Sequence, residues 1–520
     1  MKLRTLLTGA LLVLSMSVSA QSAAVKKMVD MGVNDNPTWE YLSTLTGRFG
    51  GRLLGSGAFE DAQKWLIAEF NKLGIEAHLE EAGEVPIGFN RGPWFGRMLA
   101  SDQTMSLHFV TPSCTSGTPG LVRGHVVIEP QSEQEFQRIK GRVKGAWVLV
   151  GGTNAGWPIY LNEREDSIRD EIKAQNAEIA KENRALMEKM RAEGKRPDPN
   201  DPNYQLKELK SHPGLFAREL LEAGALGFIQ SAELPLRALY DRPMMNDKSM
   251  TFDKLPKHAD IKLDSSQYKV IYDKVKSKQN VELEFDIRNH FRLGPIKYYN
   301  VVASIPGSKH PEQKVIISGH LDSYDAATGA VDCGTGIGAM MGAAYLIAKS
   351  GVKPKRTIEF IAFAGEEFGL LGAYAYCKTH QKELGNIVNL FNRDGGPTAC
   401  TGISVPEAWY DDMVKICEPM KNLWDFEFQV NKQGPRRKVT RAGGTDATVF
   451  GMNGVPCVEM RNEDYKGYGF EYQEIWHTEN DYLNKSFQDY MEQAAAATAI
   501  VVSGIATMDK ALPREGVYEK

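Results

Sequence analysis

Three short segments of this 520-residue chain place acids or imidazoles directly after apolar, strand-like runs. Val315–Ser318 leads into Gly319-His320-Leu321-Asp322, Thr357–Phe363 into Ala364-Gly365-Glu366-Glu367, and Ile387–Phe391 into Asn392-Arg393-Asp394. Carboxylates gathered at one edge of a sheet lose hydration and repel one another, so stability alone does not explain them and a bound cation does. His320-x-Asp322 sets two side chains on one side of an extended strand, one to hold a metal and one to orient the imidazole. Asp332 lies in the glycine-rich run Gly329 to Gly338. That run lacks the Lys-Ser/Thr of a phosphate loop and does not directly follow a strand, so a nucleotide site is a poor reading of it. A carboxylate there can instead turn its two oxygens toward two ions. His477, in His477-Thr478-Glu479-Asn480-Asp481, adds a second imidazole, and Asp481 is expected to start a helix or to support the ligands.

Two histidines and three carboxylates form a nitrogen and oxygen donor set that suits zinc and also admits cobalt or manganese. Two such ions about 3.5–4 Å apart clamp a carbonyl and a water for hydrolysis. The adjacent acids Glu366 and Glu367 then divide the work: Glu367 binds metal and Glu366 moves the water's proton to the leaving group. The competing account is an exposed helix start, where the dipole favours acids.

The elements that must position these residues follow from periodicity. Thr38–Leu45 and Ala58–Leu73 have helical spacing, the second closed by Gly74, and Glu76–Glu80 reads as a strand. Beyond residue 281 strands and helices alternate. A small-residue helix over Gly336–Ala348 follows the first strand, and a helix beginning near Phe368 follows the second. A further strand is expected over Val455–Met460, and an Ala-rich helix over Gln488–Met508. This alternation predicts an α/β fold, a three-layer α/β/α sandwich with a mixed, largely parallel sheet. Ligands gather beyond the carboxyl ends of such strands, where the polar residues stand. Residues 95–263 have a different, β-rich texture, interrupted by a charged segment over 162–196 that reads as a solvated helix or helical hairpin.

The chain is 42% hydrophobic and 25% charged with a formal charge of −4, and no basic run points to nucleic acid. Lys2, Arg4, the apolar run Leu6–Val18 and Ser17-Val18-Ser19-Ala20 form an export signal cleaved after Ala20. No later stretch reads as long and apolar enough to span a membrane, so a periplasmic or extracellular chain is expected. Six cysteines (114, 333, 377, 400, 417 and 457) specify no pairing, and buried free thiols suit a core of this size.

Taken together, GHLDSYDAATGAVDCGTG, IEFIAFAGEEFGLLGAYAY, NRDGG and WHTENDYLN resemble the secreted di-zinc aminopeptidase family, nearest its carboxypeptidase Q branch. RLLGSGAFEDAQKWLIAEFNKLGIEAHLEE extends the likeness toward the N-terminus. The resemblance implies that His320 and Asp394 hold one zinc, Glu367 and His477 the other, and that Asp332 bridges. It implies Glu366 as general base, Asp322 as the partner of His320, and Thr445 and Asp446 in a loop beside the substrate. It divides the chain into a signal (1–20), a peptidase part (21–94), a protease-associated insertion (95–263) and the catalytic part (264–520). KGAWVLV and ELLEAGALGFIQS carry the insertion's likeness. Cys333 departs from the family, which commonly has a second Asp there, often after a cis bond.

The expected function is hydrolysis of short peptides by an aminopeptidase, with carboxypeptidase or dipeptidase action on the same core as the alternative. Arg393, Arg441 and Arg461 are the cations available to a substrate carboxylate. A glutaminyl-cyclase-like transferase or a non-catalytic binding protein shares the fold; the second class lacks ligands or base, and all are present here. Peptide is the expected partner, and a homodimer is left open.

Overall fold

A computed structural model describes residues 22–199 and 201–519. The export signal expected over residues 1–20 lies outside them. The described chain forms two compact units, one through residue 88 and again from 292 to the end, the other over 89–291.

The first unit is built on a five-stranded sheet of β1 (Glu76–Val85), β2 (Ile296–Ile305), β3 (His310–His320), β4 (Arg356–Phe363) and β5 (Ile387–Asn392), in the order β1-β2-β4-β3-β5. β3 is parallel to both β4 and β5, while β2 runs antiparallel to β1 and β4. The sheet is therefore mixed, with its parallel part made of the three strands that carry the chemistry. β4 is buried along its whole length, as a run such as Ile358-Glu359-Phe360-Ile361-Ala362-Phe363 requires between two helical layers. On one face, α3 (Leu371–Thr379) and α4 (Ala447–Met452) pack Tyr376, Ala373 and Phe450 on Ile316, Ile361 and Phe363. α2 (Thr335–Ser350) and α5 (Gln488–Thr507) pack on each other and on the strands, and α1 (Gly57–Lys72) is started by the Ser56 side chain, which accepts the Phe59 N–H.

α2 and the turn before it, Ala330–Ser350, are long and apolar enough by composition to cross a membrane, which corrects the expectation that no such stretch follows the leader. Its most apolar 18-residue window is 94% buried, as expected of a core helix rather than of a lipid-facing one. Small residues allow this burial: a Cβ at Gly342 would collide with Thr38 and Ala495. The six cysteines are buried free thiols.

The strand expected over Val455–Met460 begins only at Met460 and ends at Glu463, in a small sheet with Ala399–Pro406 and Gln429–Gln433. Pro456 has no N–H to offer a ladder. The segment is tied to β5 instead by the Asn389 side chain, which bonds both Val458 O and Val458 N, and by Leu390 N to Pro456 O.

The second unit spans 89–291, wider than the expected 95–263, because Val281–Ile287 pairs with both Trp94–Ala100 and Val122–Ile128. Its eight-stranded sheet has a parallel centre formed by Val122–Ile128, Ala146–Asn154, Gly227–Ala232 and Ala259–Asp264. The charged segment is one helix, Glu163–Ala192, capped by Asn162. Within the sheet Lys262 Nζ meets Asp260 Oδ1 at 2.8 Å, with both side chains almost fully buried. Removing one partner strands the other charge in a poor dielectric. Asp260→Leu should therefore destabilise this unit by about 3–5 kcal/mol, and adding Lys262→Met should recover most of that loss. Urea unfolding of the three proteins measures both effects.

Candidate metal centre

The three parallel strands end at the same edge, and the acids and imidazole collect there. His320 closes β3 opposite Phe363 of β4, and Ser318 lies opposite Asn392 of β5. The chain after β4 does not enter a helix at once. Gly365 adopts positive φ, and the Gly369, Leu370 and Leu371 amides fold back on Glu366 O and Gly365 O before α3 starts at Leu371. Glu366 and Glu367 thus stand in a turn, so the helix dipole does not account for them.

His320 Nε2 lies 3.2 Å from Asp332 Oδ1 and 3.2 Å from Asp394 Oδ1. His477 Nε2 lies 2.9 Å from Glu367 Oε2 and 3.6 Å from Asp332 Oδ2. The two oxygens of Asp332 therefore face different imidazoles. Ligand atoms of His320, Asp332 and Glu367 all fall within 4.8 Å of one another, and those of His320, Cys333 and Asp394 do the same. The fold brings together all five residues expected to hold metal.

Their surroundings fix their poses. The His320 Nδ1–H donates to the main-chain carbonyl of Asp322 at 2.8 Å, which leaves Nε2 facing the acids. The Asp322 carboxylate, expected to orient that imidazole, stays 3.8 Å from Nδ1. It accepts the N–H groups of Glu366 (3.1 Å) and Glu367 (3.2 Å) instead, and so sets the acidic turn rather than the ring. His477 has a positive φ and is sandwiched by Tyr324, at 4.0 Å between ring centroids, and Trp476, at 4.1 Å. The Asp332–Cys333 peptide is cis, and the Cys333 thiol donates to Arg393 O at 3.0 Å.

The electrostatics call for a cation. Burial pushes the Glu366 and Glu367 carboxyls far above the usual carboxylate range, and neighbouring acids push the same way. Burial and the Asp332 charge bring Asp481 up to about 7. Nitrogen and oxygen donors converging in this crowd fit divalent metal ions of the zinc type.

Two further residues position the site, of which Arg52 escaped the sequence reading and Asp481 was expected to start a helix or to support the ligands. Asp481 accepts the N–H of Val331 (2.6 Å) and of Asp332 (3.2 Å), holding the glycine-rich turn. Arg52, fully buried, donates to the carbonyls of Leu321, Gly50, Thr328 and Gly329 at 2.8–2.9 Å. It thereby clamps the loops that carry Asp322 and Asp332. Both lie in segments that carry the family resemblance, but nothing local to Arg52 marks it as a clamp on loops about 270 residues away.

Of the loop residues expected beside the substrate, Thr445 accepts a hydrogen bond from Asn392 at 2.6 Å and lines a cavity of about 200 Å³ next to Asp394. Asp446 does not reach that wall. It is fully buried, and neither carboxylate oxygen has a hydrogen-bond partner. Arg393 is committed to Gly396 O, Thr398 O and Asn462, and Arg461 to Thr401 and Gln429.

Arg52→Lys keeps the charge but offers three donors in place of the guanidinium fork. It should cost about 2–4 kcal/mol of stability and weaken metal retention, because charge-assisted bonds to buried carbonyls are lost. Thermal unfolding and metal content after dialysis check this.

Residues 300–502 match the family model described as Peptidase family M28. Human carboxypeptidase Q is 33% identical over 221 residues, which cover 42% of this chain and 43% of that protein. A probable zinc metalloprotease of Pyrenophora teres f. teres is 37% identical over 108 residues, 19% of this chain and 23% of that protein. The chain thus aligns with less than half the length of these relatives. Among solved structures, a peptidase M28 precursor from Shewanella amazonensis SB2B superposes with a TM-score of 0.55 at 21% identity, covering 95% of this chain and 98% of that one. A zinc aminopeptidase from Bacillus subtilis gives a TM-score of 0.51 at 15% identity, covering 93% and 97%. At such identities the superpositions establish a shared fold. Over residues 300–502 the chain is thus similar to peptidase family M28.

Proposed function

We propose that this protein is an exported exopeptidase that holds two zinc ions and removes N-terminal residues from short peptides. The observation that carries the reading is the shared Asp332 carboxylate, whose two oxygens face His320 with Asp394 on one side and His477 with Glu367 on the other. In this reading His320 and Asp394 hold one ion, Glu367 and His477 the second, and Asp332 bridges them. Bound zinc supplies Lewis-acid polarisation of the scissile carbonyl and lowers the pKa of water.

The chain's own residues do the rest. Glu366, half-buried beside Glu367, takes the proton of the attacking water and passes it to the leaving amine. The Asp322 carboxylate, by gripping the amides of both glutamates, keeps that base in line. The Asp322 carbonyl keeps the His320 imidazole in the tautomer a metal ligand needs.

Cleavage at the amino end is favoured because Arg393 and Arg461 are already committed to other groups; Arg441 is exposed and is the cation that a carboxypeptidase reading would use. The likeness to carboxypeptidase Q supports a carboxypeptidase or dipeptidase as the second reading. The unit over 89–291 is read as a protease-associated domain, and the leader over 1–20 as the export signal.

Glu366→Gln should lower kcat by about 10²–10⁴-fold while retaining the metal content of the wild type. Metal analysis combined with aminoacyl, C-terminal and dipeptide substrates checks both points. Only trace metal in the pure protein, or full turnover by the variant, overturns the mechanism, and the substrate panel decides which end is attacked.

A further inference from the structure

The cavity beside Asp394 has a charge of its own. Its walls come from the end of β5, the loop at Gly444-Thr445 and the chain entering the strand at Met460, and its floor includes Ile317 and Met340. Three charged side chains line it: Arg393, Asp394 and Glu459. The Arg393 guanidinium is already committed to two carbonyls and to Asn462. Asp394 belongs to the metal centre of the proposed function.

Glu459 is different. It is solvent-exposed, yet the surrounding protein raises its carboxyl, with the Asp394 charge adding to the shift and Arg436 opposing it. Both properties hold together for a group on the wall of a cleft. It makes no ion pair or side-chain hydrogen bond with any described residue. Its cationic neighbour Arg436 is committed to Cys457 O at 2.9 Å and reaches Gln433 at 3.5 Å. The slot thus has apolar side chains and an unpaired carboxylate in its lining, together with a candidate zinc ligand. A long side chain with a methylene stem and a cationic tip matches that pattern: the stem packs on apolar surface while the tip meets the acid.

We propose that Glu459 is a specificity residue that selects peptides with lysine or arginine on the acyl side of the scissile bond. The proposal rests on the peptidase reading above and names its substrate class. A cationic nitrogen could also come from the peptide's own α-amine; the two sources differ in which substrates feel the loss of Glu459.

The test is kcat/KM for Lys-Ala, Arg-Ala, Leu-Ala and Glu-Ala with the zinc-loaded wild type, Glu459→Gln and Glu459→Lys. Binding of Lys-Ala and Leu-Ala to Glu366→Gln and to Glu366→Gln/Glu459→Gln is measured by calorimetry in parallel. The expected result is a wild-type preference for Lys-Ala over Leu-Ala, a fall of about tenfold or more in that ratio in Glu459→Gln, and a turn toward Glu-Ala in Glu459→Lys. The calorimetric ratio should fall in the same way. If the Lys-Ala to Leu-Ala ratio is the same in wild type and Glu459→Gln, the proposal is overturned; an equal fall for both peptides assigns Glu459 to the α-amine and overturns it too. In both cases the peptidase reading stands, because Leu-Ala is still cleaved by the wild type. Failure of the zinc-loaded wild type to cleave any of the four peptides, or any longer peptide, overturns the peptidase reading and the proposal with it.

Discussion

A crowd of buried acids around two imidazoles is the constraint on which the rest of this structure depends. Asp322, Asp332, Glu367 and Asp446 are each 5% exposed or less, and Glu366 and Asp394 stand beside them. Such a group cannot be assembled in a poor dielectric on hydrophobic burial alone, since every carboxylate added raises the cost of ionising the next. The protein meets this in two ways. Main-chain amides grip Asp322 and Asp481, and the Arg52 guanidinium lies within the field of Asp481, Asp322 and Asp332. Burial lowers Arg52 only to about 10, so it stays charged at neutral pH.

The sheet supplies the remaining order. Because β3 is parallel to β4 and β5, the residues that follow all three strands emerge at one edge. Antiparallel pairing of any of them would have sent one acid to the opposite end. The supporting hydrogen bonds then act on the loops rather than on the ligands alone. Arg52 ties residues 321–329, Asp481 ties 331–332, and Asp322 ties 366–367. Ligands carried on turns acquire the rigidity of a scaffold through these contacts.

Much of this was legible in the chain because it is local. The apolar runs ending in His320, Glu366-Glu367 and Asp394 are the strands observed, their carboxyl ends within two residues of expectation, although the first strand starts five residues earlier, at His310. The departures from local expectation have physical causes. Val455–Met460 has strand composition, but Pro456 and the Asn389 side chain replace its ladder. Glu366 and Glu367 are adjacent to a helix in sequence, but the positive-φ turn at Gly365 to Leu370 separates them from its dipole. The Ala330–Ser350 stretch is as apolar as a membrane span and is instead covered by its own fold. In the first and last cases groups distant in sequence took the place of the expected local partner, whereas the turn after Gly365 is itself local.

The sequence by itself determined the chemistry on offer: which acids and imidazoles follow strands, in what order, and therefore what class of cation and reaction they suit. Those features depend on residue type and short-range periodicity, which fold topology does not alter. Only the tertiary structure decided how the groups share that work. It turned Asp332 toward both imidazoles, assigned the His320 hydrogen bond to the Asp322 carbonyl rather than its carboxylate, and buried Asp446. It also brought Arg52, about 270 residues away in the chain, against Leu321. Distances of a few ångströms between groups hundreds of residues apart are set by the packing of whole layers, and no local spacing encodes them.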